Sequence, residues 1–241
     1  IFYKIMRQAC RAADELGMTI VTGHTGTYEG LSILLGVCTA YGTVDKDMLI
    51  TPGDAKPGDY ILCIRPIGLE IVLNFALTHV ALAKRLFGVQ RTRELAELVS
   101  LQTCVKEALL LAKIGGVHAM HDATEGGLTA ALNEMAEASK VGFKIALEKI
   151  PITEEVYILQ ERFQLSDEQV LSMSSTGTIL AAVSPEAKGK VEEVLRQNEV
   201  AGRLLGFFTK NKHRILVKNG EERLFPEKAD DPYERILSGK L

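Results

Sequence analysis

The chain has 241 residues, of which 46% are hydrophobic and 24% charged, and its net charge is −3. That is the make-up of a folded globular protein with one large or two small domains. No basic excess points to a nucleic-acid partner, and no apolar run approaches the ~18–20 residues of a membrane helix. Cys10, Cys38, Cys63 and Cys104 form no CxxC pair. They are expected as buried apolar side chains on helices and strands, in a reducing cytoplasmic setting. The chain opens on Ile1 and reads from there as the middle of a fold, so further residues are expected upstream.

Residues 2–16 keep Ile5, Met6, Ala9, Ala12, Ala13 and Leu16 on one face, which predicts a helix stopped by Gly17. A short strand is expected at 18–21. A loop follows at 23–27, and 31–41 reads as a strand buried on both faces. Pro52, Gly53, Asp54, Pro57, Gly58 and Asp59 crowd turn residues together, which predicts a domain boundary near residue 45. The division is then 1–45 and 46–241.

After a strand at 60–64, long helices are predicted at 68–87 and 91–113. A strand at 117–120 leads through a polar loop into a helix at 127–139, whose Leu128, Ala131, Leu132 and Met135 share a face. A strand at 143–147 and short helices at 153–163 and 167–171 come next. A strand at 176–183, a helix at 185–197 and a strand at 203–209 follow. A hairpin then turns on Asn219-Gly220. The charged tail from Glu227 is expected to be loosely held. Without a strict βαβ rhythm, the fold class is α+β, a mixed sheet covered by helices.

Three stretches could carry chemistry. In His121-Asp122-Ala123-Thr124-Glu125-Gly126-Gly127-Leu128 a strand runs through a glycine-containing loop into a helix. A helix N-terminus presents unpaired N–H groups and a positive dipole end to an anion. Gly126 and Gly127 permit close backbone approach, Asp122 can bind a metal or fix a donor, and Thr124 can cap the helix. An ordinary cap with a tight turn explains the same residues. Gly23, His24 and Thr25 belong to a donor-rich loop at 21–30, which suits a phosphate or serves as a plain connection. The hydroxyls of 172–178 could hold an anion at a strand entrance or simply fill a loop. His118 and His121 have no usual metal spacing, His79 reads as a core residue and His213 as exposed.

The run 121–128, followed by Leu132-Asn133-Glu134-Met135-Ala136-Glu137-Ala138-Ser139, resembles the C-terminal domain of the AIR synthase (PurM-like) superfamily, with the flavour of its HypE type. Val21-Thr22-Gly23-His24-Thr25 is similar to the close of that family's first domain, and Ala55-Lys56-Pro57-Gly58-Asp59 to the start of the second. The resemblance implies that 1–45 is the remnant of an ATP-binding first domain and 46–241 the second domain. It implies a homodimer, with nucleotide in the cleft between domains. ATP with Mg²⁺ would activate an amide or similar oxygen, on a small molecule or a protein, by phosphorylation. It further implies hydrogenase maturation proteins as partners, or a non-catalytic paralogue that acts through binding. By this resemblance Asp122 and Glu125 are catalytic, with Asp122 also on the metal, and Gly23, His24, Thr25, Thr124, Gly126 and Gly127 meet nucleotide or phosphate. Three positions depart from the pattern. The acidic Gly-Asp-Asp-Ala type motif is not found, His24 stands where relatives carry an acidic residue, and Leu237 stands where the HypE type carries a terminal cysteine.

Overall fold

The computed structural model describes residues 1–27 and 29–238. Tyr28 of the donor-rich loop and the last three residues of the charged tail lie outside the described residues. The chain divides into two compact units, Ile1–Asp47 and Met48–Leu241.

In the first unit, α1 (Phe2–Glu15) forms where the apolar spacing predicts it. It ends in a Schellman turn: the Met18 N–H donates to Ala13 O (2.8 Å) and the Gly17 N–H to Asp14 O (3.1 Å), with Gly17 at φ +67°. The strands expected at 18–21 and 31–41 do not form among the described residues. Far from being buried on both faces, Ile33, Leu34 and Leu35 are 70–74% exposed. A strand cannot pair its own backbone groups, and the described residues of this unit supply no neighbouring strand. The cysteine expectation changes with it: Cys10 and Cys38 are exposed, Cys63 is buried and Cys104 half-buried.

The second unit is built around β1 (Tyr60–Ile64), which lies inside a seven-stranded sheet. The other strands are β2 (Val117–Asp122), β3 (Gly142–Ala146), β4 (Ile179–Val183), β5 (Gly202–Thr209), β6 (Arg214–Lys218) and β7 (Glu221–Leu224), in the order β2-β4-β1-β5-β3-β6-β7. Every pairing is antiparallel except β3 with β6. The pleat sends alternate side chains to opposite faces. Ile61, Cys63, Leu180 and Ala182 join one hydrophobic core, and Leu62, Ile64, Ile179, Ala181 and Val183 another.

The helices divide between these faces. The first core is covered by α2 (Leu69–Thr78), α3 (Val80–Phe87), α4 (Val89–Glu97), α6 (Gly127–Ser139), α7 (Glu154–Phe163) and α8 (Asp167–Leu171). The second packs on α5 (Val105–Ala112) and α9 (Lys188–Gln197). Burying one Leu or Ile side chain stabilises by about 1.5–3 kcal/mol, so a sheet covered on both faces dominates the fold's stability. The result is the expected α+β architecture, a mixed sheet covered by helices.

The two long helices are broken. The first divides at His79, whose ψ of 44° leaves the helical region. Thr78 Oγ1 donates back to Asn74 O (2.7 Å) and lies 2.9 Å from His79 Nδ1, the kind of back-bonding that bends a helix. His79 is half-buried and stacks on Phe75 with centroids 5.2 Å apart. The second breaks between Leu98 and Cys104, where the Arg65 guanidinium draws in Leu101 O (2.9 Å) and Thr103 O (2.5 Å) while it ion-pairs with Glu107. The strand expected from 176 begins at Ile179, and the helix expected from 185 begins at Lys188. Over its described residues, 227–238, the tail is not loosely held: α10 (Tyr233–Leu237) seats Ile236 fully in the first core.

Candidate functional site

β1 and β2 both flank β4 and run antiparallel to it, so the chain after β1, the chain after β2 and the chain before β4 meet at one end of the sheet. The hydroxyl-rich stretch 172–178 joins the other two. The Gly68 N–H donates to Ser175 Oγ (2.7 Å), Thr178 Oγ1 donates to Pro66 O (2.8 Å), and the Ser175 N–H reaches Ala123 O (3.0 Å). Ser172 donates to Glu168 O, Ser174 to Asp231 and Thr176 to Glu70. These hydroxyls are buried or nearly so and are spent on protein partners, which gives the stretch a structural task.

The same packing explains the double glycine. Gly126 and Gly127 have φ of +71° and +54° at the start of α6. A Cβ on Gly127 would meet Met173 O at 2.3 Å. The helix start is filled from a distant part of the chain: the Asp231 carboxylate accepts the Gly126 N–H (3.1 Å), the Ser174 N–H (3.3 Å) and the Ser174 hydroxyl (2.5 Å). A carboxylate is well placed at this positive dipole end. Thr124 does not cap the helix as expected. Gly126 is the N-cap residue, no side-chain cap bond forms, and the Thr124 hydroxyl donates to Asp122 Oδ2 instead.

Beside this helix start lies a cavity of about 310 Å³ lined by His121, Asp122, Thr124, Glu125, Ala130, Ala131 and Glu134. The structure thus brings Asp122, Thr124 and Glu125 together and adds Glu134 and His121, the latter discounted in the sequence for its lack of metal spacing. His121 Nε2 lies 2.8 Å from Glu134 Oε2, and Nδ1 lies 2.7 Å from Asp122 O and 3.5 Å from Asp122 Oδ1. Both ring nitrogens face acceptors, so the doubly protonated imidazolium is favoured. Asp122 first and Glu134 after it raise the His121 pKa to about 9, against the opposing effect of burial. His121, helped by the Thr124 hydroxyl, lowers Asp122 to about 2. Glu134 follows Gly127 by seven residues on α6, a two-turn spacing that returns to the same face and was legible in the sequence.

With Asp122, Glu125 and Glu134 lining it against one imidazolium, the cavity favours a cation or a cation-bearing ligand over a bare anion. Among the described residues no group of three or more His, Cys, Asp or Glu side chains is arranged to hold a metal. Asp122, ionised and 54% exposed at its side chain, fits a narrower part. Mg²⁺ commonly takes one or two carboxylates and completes its shell with phosphate oxygens and water. Gly23, His24 and Thr25 lie on the exposed chain of the first unit. His118 is held by Asp59 at 2.8 Å and lies 3.2 Å from Lys56 Nζ, away from His121. His213 is exposed, as expected.

Residues 56–218 match the family described as AIR synthase related protein, C-terminal domain. The chain is 27% identical over 236 residues to a putative hydrogenase expression/formation protein of Methanocaldococcus jannaschii, covering 97% of this chain and 67% of that protein. It is 31% identical over 187 residues to the carbamoyl dehydratase HypE of Bradyrhizobium diazoefficiens, covering 77% of this chain and 51% of that one. It therefore spans about half to two thirds of the length of these relatives. Among solved structures, the hydrogenase maturation protein HypE in complex with ATP superposes with a TM-score of 0.64 at 22% identity, covering 92% of this chain and 67% of that one. Escherichia coli HypE gives 0.60 at 23% identity, covering 78% and 55%. Among the described residues no helix is long and apolar enough to cross a membrane. Through its AIR-synthase-related C-terminal domain the chain belongs to the AIR synthase superfamily, with HypE-type hydrogenase maturation proteins among its relatives.

Proposed function

We propose that this chain is the greater part of a HypE-like enzyme that, as a complete protein, binds ATP with Mg²⁺ and phosphorylates the oxygen of an amide or similar group. Residues 1–45 then belong to a nucleotide-binding first domain, in which Gly23, His24 and Thr25 face the nucleotide, and 46–241 form the second domain. The working protein is a cytoplasmic homodimer that acts with hydrogenase maturation partners on a small-molecule or protein-bound amide. The observation that carries this reading is Asp122, a carboxylate kept ionised at the rim of a cavity in an AIR-synthase-related domain.

When bound, Mg²⁺ would neutralise phosphate charge, with Asp122 supplying one oxygen ligand. This chain's own residues do the rest. The Thr124 hydroxyl fixes Asp122 Oδ2, and His121 presents a positive charge beside that carboxylate. Glu134 holds the imidazole ring in place at 2.8 Å. Glu125, on the same cavity wall, can take a proton from an amide nitrogen. Gly126 and Gly127 hold the loop close against the protein, and Asp231 stands where a phosphate would meet the helix end.

Calorimetric titration of MgATP into the complete natural protein and its Asp122→Asn variant tests the reading. The variant is expected to bind MgATP about tenfold more weakly, the loss of one charged ligand, while ATP without Mg²⁺ is little affected. Equal MgATP affinity in the two proteins removes Asp122 from the site. A second reading, a non-catalytic paralogue, draws support from Leu237, which packs against the first core in place of a thiol. Stable complex formation with a maturation protein, without ATP hydrolysis on any amide, favours it.

A further inference from the structure

The second unit carries a groove that the nucleotide chemistry leaves unused. Its volume is about 830 Å³, between the C-terminal end of α6, the start of β6 and the chain after β7. Ala136, Val141 and Phe225 give it a buried apolar lining, and Leu224 lies beside them 77% exposed. Lys140, Lys212 and Lys228 line it as well, all exposed. Among the described residues their ammonium groups have no ion-pair partner. Of the two carboxylates present, Glu137 is engaged by Arg214 at 2.7 Å, which leaves Glu227 against three ammonium groups. The groove is locally cationic on a chain whose net charge is −3.

The donors decide what such a groove can hold. Four of its backbone N–H groups are already used: Lys140 to Glu137 O (3.1 Å), Val141 to Ala136 O (3.0 Å), Phe225 to Arg214 O (2.8 Å) and His213 to Asn211 Oδ1 (3.3 Å). A phosphate cradle needs convergent backbone donors, and these four are spent within the protein. Long ammonium side chains on separate elements remain, around apolar surface. That combination matches an extended chain with several carboxylates and apolar side chains between them.

We propose that this groove docks an acidic peptide segment of a partner protein, with apolar residues interspersed among its carboxylates. The site stands independently of the nucleotide reading. Fluorescence polarisation on the full chain tests it, with a fluorescein-labelled peptide of alternating Glu and Phe as probe and its alternating Gln and Phe counterpart as control. The acidic peptide is expected to bind, more weakly as salt rises, and the control to bind poorly. Combining Lys140→Glu with Lys212→Glu lowers affinity about tenfold, since two attractive charges become repulsive. Leu224→Ser weakens binding as well. Lys228→Gln, a single exposed change, is expected to weaken it about two- to threefold and keeps the test open should the double variant fold poorly. Equal binding of the two peptides, or unchanged affinity in folded charge variants, overturns the proposal. Displacement of the acidic peptide by ATP at similar concentration also overturns it, in favour of a small-anion site.

Discussion

His121 is a cation at neutral pH because its ring is placed between acceptors it can satisfy only when doubly protonated. Its pKa of about 9, against the ordinary 6.5, fixes the sign of its contribution to stability. That contribution is fully present below about pH 6.5 and is lost as pH rises through about 9. The ring is partly exposed, so solvent screening keeps the contribution small. The direct test is a metal-free NMR titration of the imidazole, with the His121 signals expected to move near pH 9 and to move at lower pH in Glu134→Gln. A titration near 6.5 in both proteins removes the imidazolium from the cavity. The glycines give a sharper contrast at the same scale. Gly127→Ala puts a methyl 2.3 Å from Met173 O at positive φ and is expected to cost about 3 kcal/mol or more. Gly189→Ala, with nothing within 4 Å on the exposed side of α9, is expected to stabilise by about 0.5–1 kcal/mol. Urea denaturation of the two variants should move in opposite directions.

At the level of elements, the start of α6 is held by a residue more than a hundred positions away. Asp231 collects the Gly126 N–H, the Ser174 N–H and the Ser174 hydroxyl, and so joins the tail to the helix and to the chain before β4. Asp231→Ala is expected to destabilise by about 1–2 kcal/mol, the usual loss for an N-terminal cap. Ser174→Ala should overlap with it, so the double variant loses less than the sum of the two. Full additivity would mean that Asp231 and Ser174 act separately. This contact also shows where a sequence stops being readable. β1, β2 and α6 are written in their own residues, as pleat alternation and helical spacing, and were found within two residues of their ends. The breaks at His79 and at 98–104 are not written in the apolar spacing. One comes from a side-chain back-bond by Thr78, the other from Arg65, whose partners lie 36 and 38 positions ahead. Apolar spacing continues across the first break because one core receives the residues on either side, and across the second because the chain passes from the first core at Leu95 to the second at Leu111. The tail was misread for the same reason: its charge pattern is that of a solvated end, while its anchors, Asp231 and Ile236, find their partners far upstream.

Across the whole molecule, the candidate site divides along the same line. Asp122, Thr124 and Glu125 were legible because one short loop holds all three, and His121 and Glu134 complete the cavity across a strand–helix junction. The first unit was legible as a helix and illegible beyond it. An apolar run such as 31–41 announces burial, but only a neighbour can provide it, and none of the described residues of that unit does. The cysteines report on this difference, because the thiolate is the reactive species and both burial and exposure control it. Cys10 and Cys38 are exposed in the first unit. Burial pushes the Cys63 thiol up to about 12, and burial ahead of Asp122 raises Cys104. With Ellman's reagent at pH 8, Cys10 and Cys38 are expected to react first, Cys104 slowly, and Cys63 only when the second unit unfolds. Mass mapping of the labelled peptides assigns each phase. Fast labelling of Cys63 under native conditions would mean that β1 is not closed into the sheet. Protection of Cys38 on the scale of Cys63 would mean that 31–41 is covered in solution.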